Sequence, residues 1–333
     1  MERGTRFPII EVSALFGAAC GDDRERLVGE ELKTAFEGNG MAYLRFDGES
    51  QDMLQRVISP AMQSLKAFFA QPAHEKQKSV CTELPPGVTR GYLAPAAESG
   101  SDAMEWKEGY SWSCEWVDGK QPSNSFEAYN VWAENQPHMQ ERLGEAFEFM
   151  HKLVTTLTKA LMKALDDFTP DLESMCVAGK SISLMRGFHY FERDELRKAT
   201  GSSPHTDWGF MTLVAQEDAT ENALQVYVNG IWENLPPIPN TLVVNCSDFL
   251  SLITKGRLRS PLHRVVLTSR ERTSLVYFQY PGYDTCMPST TFVEGMSILK
   301  DQSAGANGIQ LSTENLPFGD FIARKWAQVN RVQ

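Results

Sequence analysis

The chain has 333 residues, with 32 Lys+Arg against 43 Asp+Glu and a net charge of −11, which excludes the basic footprint of a nucleic-acid or anionic-membrane binder. Its 42% hydrophobic and 23% charged residues exclude wholesale disorder and predict a sizeable buried core. No apolar run approaches the ~18 residues that a membrane span needs.

At the amino terminus, Arg3 and Arg6 precede an apolar stretch, and Gly17-Ala18-Ala19-Cys20 resembles a lipoprotein cleavage site. Pro8 and Glu11 break that stretch, so it reads instead as a buried strand over 7–12, with the cytoplasm as the default location. The six cysteines, at 20, 81, 114, 176, 246 and 286, contain no C-x-x-C pair. They suit a reducing compartment better than a disulfide framework or a zinc site.

Leu27, Leu32, Ala35 and Phe36 form a helical stripe that stops at Gly38-Asn39-Gly40, and a strand follows over 41–44. A second helix, from about 52 to 70, carries Leu54, Val57, Ala61, Leu65 and Phe68, and Pro60 is expected to kink it or split it. After Pro137 the longest stripe runs through Met139, Leu143, Phe147, Met150, Val154, Leu157, Leu161 and Leu165, up to Thr169-Pro170. That pattern is core packing. From residue 181 the period becomes two: Ile182, Leu184, Arg186, Phe188 and Tyr190 alternate with Ser183, Met185, Gly187, His189 and Phe191. Further strands are expected near 210–215, 224–228, 241–245, 262–268 and 273–280. Many short strands in succession argue for a β-sandwich or jelly roll with flanking α-helices, not a parallel α/β sheet. The polar segment 301–315 reads as a mobile loop leading to a last helix over about 318–329.

Six histidines are present. His74, His138 and His151 read as solvated surface, and His189 as a packing residue. His205 stands two residues from Asp207 in Pro204-His205-Thr206-Asp207-Trp208-Gly209, so in an extended strand both side chains leave one face. His263 offers a third ligand from a paired strand. Two imidazoles and a carboxylate on one face of an octahedron leave positions open, as in non-haem Fe(II) oxygenases. A zinc hydrolase remains compatible with the same donors. Arg272 and Ser274 then share a strand face and make a receptor for a small carboxylate, to which Tyr190 can add a phenolic hydrogen bond.

Together, His205/Asp207, His263 at 56 residues beyond Asp207, and Arg272/Ser274 resemble the isopenicillin N synthase-like branch of the Fe(II)/2-oxoglutarate-dependent dioxygenases. Phe7-Pro8-Ile9-Ile10-Glu11, Arg90-Gly91-Tyr92, Trp106-Lys107-Glu108-Gly109-Tyr110, Phe188-His189-Tyr190 and Val243-Val244-Asn245-Cys246-Ser247-Asp248 extend the resemblance over nearly the whole chain. Trp208, Phe191 and the missing glycines before Leu224 depart from the family's usual residues and leave the substrate open.

The resemblance implies a double-stranded β-helix, or jelly-roll, core over 176–300. It would be preceded by a helical and strand region over 1–175 and followed by the loop and a lid helix over 301–333, as one integrated unit. It implies Fe(II) on His205, Asp207 and His263, and 2-oxoglutarate on Arg272, Ser274 and Tyr190. Dioxygen would be consumed, succinate and CO2 released, and ascorbate would serve as reductant. The substrate is expected to be a small or medium-sized organic metabolite of specialised metabolism that is hydroxylated, desaturated, epoxidised or rearranged. Candidate substrate contacts are Arg186, Tyr110, Trp112, Phe210, Phe318 and Phe321; no nucleic acid, membrane or protein partner is implied. Some relatives dispense with 2-oxoglutarate, and in one of them, isopenicillin N synthase, a glutamine near the carboxyl end can ligate iron, which keeps Gln328 and Gln333 in view. A non-catalytic jelly-roll binding protein is the remaining alternative.

Overall fold

The computed structural model describes residues 6–16, 21–80, 88–95, 97, 104–117, 119–165, 171–194, 199–217, 222–287 and 316–329. The expected loop 301–315, the Gly17–Cys20 motif, Cys81 and Gln333 lie outside these residues.

After the short strand β1 (Ile9–Glu11), helix α1 (Asp22–Gly38) opens with Asp22, Asp23 and Glu25 at its electropositive end. Its buried face is Val28, Leu32, Ala35 and Phe36; Leu27, expected on that stripe, is 61% exposed. One helical position is about 100° of rotation, which moves residue 27 off the face that Val28 occupies. Gly40 turns the chain with φ 76°, and a Cβ there would meet the Arg259 carbonyl oxygen at 2.3 Å. Strand β2 (Met41–Arg45) then leads to α2 (Glu49–Phe69), which runs unbroken through Pro60 rather than dividing. Its apolar face, with Leu54 on one side of the proline and Ala61, Leu65 and Phe68 on the other, is buried along its length and compensates the lost backbone bond.

The short α3 (Ala73–Gln77), β3 (Gly91–Leu93), β4 (Met104–Glu105) and β5 (Lys107–Trp112) precede α4 (Met139–Ala164). All eight residues of the long apolar stripe are buried. Helix α5 (Leu172–Ala178) leads to the strands β6 (Leu184–Tyr190), β7 (Ala199–Thr200), β8 (Ser202–His205), β9 (Met211–Gln216), β10 (Leu224–Val228), β11 (Ile231–Asn234) and β12 (Thr241–Cys246). Helix α6 (Asp248–Ile253), β13 (His263–Val265), β14 (Arg272–Phe278) and α7 (Phe318–Val329) complete the order.

One eight-stranded sheet has the order β1-β2-β12-β9-β14-β6-β5-β3, and a four-stranded sheet has the order β11-β10-β13-β8. The large sheet is buried on both faces. Ala42, Leu44, Leu213, Leu242, Val244, Leu275 and Tyr277 join the core beneath α1, α2 and α4, while Met41, Tyr43, Phe188, Val243 and Val276 join the core facing the small sheet. Strict alternation along each strand therefore feeds two apolar layers. This is the jelly-roll architecture with flanking helices. Strands from the first 175 residues and from 176–300 are hydrogen-bonded within the same sheet.

His74 and His138 are exposed, but His151 is a packed residue, not a solvated one. Its Nδ1 lies 2.8 Å from the Tyr277 hydroxyl, and burial pushes its pKa down to about 4. The helical stripe of α4 places residue 151 against β14. His189 packs on Phe69 at 5.5 Å and bonds Glu108 Oε1 at 2.9 Å. There, Glu108 also binds Lys76 Nζ at 2.6 Å and the Tyr92 hydroxyl at 2.5 Å.

Candidate active site

The cavity lies between the two sheets and is partly open to solvent. Strand β8 delivers His205 at its last position, and β13 starts with His263. The two residues are direct cross-strand partners, with ring centroids 4.3 Å apart. Asp207 sits just past the end of β8, so the turn, not continued strand alternation, aims its carboxylate. Its Oδ1 is 3.8 Å from each imidazole Nε2, and the three candidate ligand atoms all lie within 4.8 Å of one another.

Backbone carbonyls fix both rings. Ser203 O lies 2.7 Å from His205 Nδ1 and Pro261 O lies 3.1 Å from His263 Nδ1. Protons on the two Nδ1 atoms leave both Nε2 lone pairs facing the carboxylate, the tautomer that a metal requires. Burial and the neighbouring His263 lower the His205 pKa to about 4, which keeps that ring neutral and ready to ligate. Burial works to raise Asp207, but the two histidines and hydrogen bonds from Thr212 and Asn245 hold it below its ordinary value. Asn245 Nδ2 donates to Asp207 Oδ2 at 2.9 Å, and the Asp248 N–H donates to the Asp207 carbonyl at 2.8 Å. Two imidazoles and one carboxylate match the donor set of non-haem Fe(II).

A cation stands on the inner face of β14. Arg272 is 5% exposed and its guanidinium lies 4.7 Å from the centroid of Tyr190, its cross-strand partner. Among the described residues, no hydrogen-bond partner meets the buried Arg272 Nη1. A buried guanidinium donor left unmade is costly, and a carboxylate entering the cavity would satisfy it. Ser274 and Tyr190 line the same space, as does Arg186, whose guanidinium stacks 4.0 Å from the Trp326 ring of α7.

The other expected substrate contacts are placed elsewhere. On β5 the cavity face carries Lys107, while Tyr110 and Trp112 point to the helix side, where Tyr110 packs on Phe68 at 4.8 Å and the Trp112 indole donates to Leu143 O at 3.0 Å. Phe210 packs on Phe249 at 5.2 Å, and Phe318 on Phe249 and Tyr280, each at 5.4 Å. Phe321 lies beside Phe318, 5.8 Å away. These four aromatics and Phe321 belong to the helix-side core and do not line the cavity. Trp208, Phe278, Tyr280 and Trp326 are the aromatic residues that complete its wall alongside Phe188 and Tyr190. Gln328 is exposed on α7 and does not line the cavity.

Sequence reasoning did not single out Asn245, Thr212, Glu105 or Lys107. Asn245 lies within the quoted stretch 243–248 and its position on the inner face follows from strand parity. Glu105 carried no signal.

Two family models match the chain: the 2OG-Fe(II) oxygenase superfamily over residues 181–281, and the N-terminal region of non-haem dioxygenases in morphine synthesis over residues 7–135. Homoarginine-6-hydroxylase of Arabidopsis thaliana is 27% identical over 331 residues, covering 96% of each protein. Gibberellin 20 oxidase 3 of the same plant is 26% identical over 308 residues, covering 87% of this chain and 73% of the relative. A full-length Neurospora crassa protein, solved in complex with alpha-KG (2-oxoglutarate), superposes with a TM-score of 0.75 at 20% identity over 98% of each chain. No helix among the described residues is long and apolar enough to cross a membrane. Donor set, fold and family matches agree, and the chain belongs to the Fe(II)/2-oxoglutarate-dependent dioxygenases, oxidoreductases that act on small molecules with Fe(II), 2-oxoglutarate, dioxygen and, typically, ascorbate.

Proposed function

We propose that His205, Asp207 and His263 hold the iron, and that Arg272, Ser274 and Tyr190 hold the carboxylate of 2-oxoglutarate remote from it. The observation that carries this assignment is the buried, unpartnered Arg272 Nη1 in the same cavity as the three converging donors. When bound, iron and 2-oxoglutarate supply dioxygen activation, with release of succinate and CO2. The protein's part is to position and to exclude water. Arg272 provides a charge-assisted fork and Ser274 a hydroxyl donor. Phe188, Trp208, Phe278, Tyr280 and Trp326 keep the reacting space dry.

The substrate is a small or medium-sized metabolite of specialised metabolism with an apolar or aromatic body, which those rings would enclose. Arg186 supports a carboxylate or phenolate on that body. Residues 1–175 would form the supporting region, 176–300 the catalytic core, and α7 a lid that closes over it. The assignment is tested by screening small aromatic and aliphatic acids with Fe(II), 2-oxoglutarate and ascorbate. Succinate release in step with substrate oxidation supports it, and oxidation without 2-oxoglutarate consumption overturns it.

A further inference from the structure

Glu105 and Lys107 brace the strand that carries His205. Glu105 ends β4 and Lys107 opens β5, both in the region matched by the N-terminal family model, while β8 lies in the core. Glu105 Oε1 accepts the Ser203 N–H at 2.8 Å, and its Oε2 pairs with Lys107 Nζ at 2.8 Å; the two side chains are 5% and 11% exposed. Lys107 Nζ also donates to Ser202 Oγ at 2.9 Å and lies 4.9 Å from the Phe188 ring centroid. One buried ion pair therefore holds two consecutive residues of β8. Ser203 is the residue whose carbonyl fixes His205 Nδ1 at 2.7 Å. The neighbouring strand is tied in the same way: Trp106 N–H donates to Thr200 O at 2.8 Å, and Thr200 Oγ1 donates to Val265 O at 2.9 Å.

The chain of contacts runs from a carboxylate through a peptide unit to the imidazole. The Ser203 amide and carbonyl flank one residue, so pinning the amide fixes the strand position from which the carbonyl meets the ring. Outer partners of ligating histidines set ring orientation and tautomer, and losing one costs about 10–100-fold in metal affinity.

We infer that Glu105, locked by Lys107, is a positioning residue for the metal site, which orients His205 through Ser203 and makes iron affinity depend on the N-terminal region. This inference rests on the proposed role of His205 as a ligand. It is tested by titrating the metal-free full-length protein with Co(II), read by the ligand-field absorption of the bound ion, with thermal unfolding measured on the same samples. Glu105→Ala should raise the Co(II) dissociation constant several-fold, less than the about 10–100-fold that losing a histidine's direct partner costs. Glu105→Gln keeps an acceptor for the Ser203 N–H but loses the ion pair, and should fall between Ala and wild type. Lys107→Met should weaken binding in the same direction. Wild-type Co(II) affinity in folded Glu105→Gln and Lys107→Met proteins, with only a lowered melting temperature, would reduce the pair to a fold clamp and overturn the inference. His205→Ala serves as the reference: retained Co(II) binding there would overturn the ligand assignment itself, a different outcome from retention in the Glu105 and Lys107 variants alone.

Discussion

Arg272 stands on the inner face of β14 with one guanidinium nitrogen unsatisfied, so its removal should be read by the co-substrate and not by the metal. Arg272→Leu takes away a desolvated charge partner, a change of about 2–5 kcal/mol, or ~30- to several-thousand-fold in affinity. Steady-state kinetics should show it as a raised Michaelis constant for 2-oxoglutarate with iron still bound. Arg272→Lys should recover part, because an ammonium keeps the charge without the fork. Ser274→Ala should cost about 0.5–1.5 kcal/mol as one ordinary hydrogen bond, and up to about 3 kcal/mol as one to a charged carboxylate. Unchanged 2-oxoglutarate dependence in Arg272→Leu contradicts the assignment. The convergence of His205, Asp207 and His263 with Arg272 and Ser274 on one cavity was legible because few residue types suit metal ligation or carboxylate binding, and strand parity placed Arg272, Ser274, Tyr190 and Arg186 on one face. Tyr110 and Trp112 were misread because an aromatic cluster in sequence does not announce its parity. On a strand buried on both sides, either face accepts large rings. Asn245 and Glu105 act through other residues and have no spacing rule of their own.

Helix α4 fixes the helix-side core, with Leu157 and Leu161 fully buried. Leu157→Ala should destabilise the protein by about 2–5 kcal/mol through lost burial and a residual cavity, measured by urea unfolding. The same helix carries His151, whose pKa of about 4 in the folded protein arises from burial. The unfolded chain, with an ordinary value near ~6.5, takes up its proton first. The stabilising contribution of the neutral ring is therefore present above about pH 6.5 and is lost as pH falls toward 4. Wild type should lose urea midpoint between pH 7 and pH 5 faster than His151→Gln; parallel losses would show that the ring does not carry this dependence. Helix α7 places Trp326 against Arg186 at 4.0 Å and Trp208 at 4.9 Å. If α7 closes the cavity, Trp326→Ala should let water in and uncouple the reaction, with succinate formed in excess of oxidised substrate. Unchanged coupling and substrate affinity would leave Trp326 a packing residue. The long helices were legible from their period. The short β3, β4, β7, β8 and β11 were not, because two to four residues hold too little pattern and are fixed by their partners across the sheets.

At the scale of the molecule, β2 pairs with β12, and β5 with β6, so the chain's first third supplies strands to the sheet that bears Arg272. That interleaving explains why strand succession revealed the jelly roll while no linker marked a domain boundary. A parity rule operates locally, whereas the pairing of residues 41–45 with 241–245 is a long-range event that no local pattern encodes. In the proposed reading a carboxylate receptor and a three-ligand face share the cavity between the sheets. Anaerobic titration of the protein with Fe(II) and then 2-oxoglutarate, followed by visible absorption, tests whether both are bound together. A metal-to-ligand charge-transfer band should appear only when both are present, vanish in Asp207→Ala, and require much higher 2-oxoglutarate in Arg272→Leu. No band in the wild type, or an unaltered band in both variants, would contradict the account.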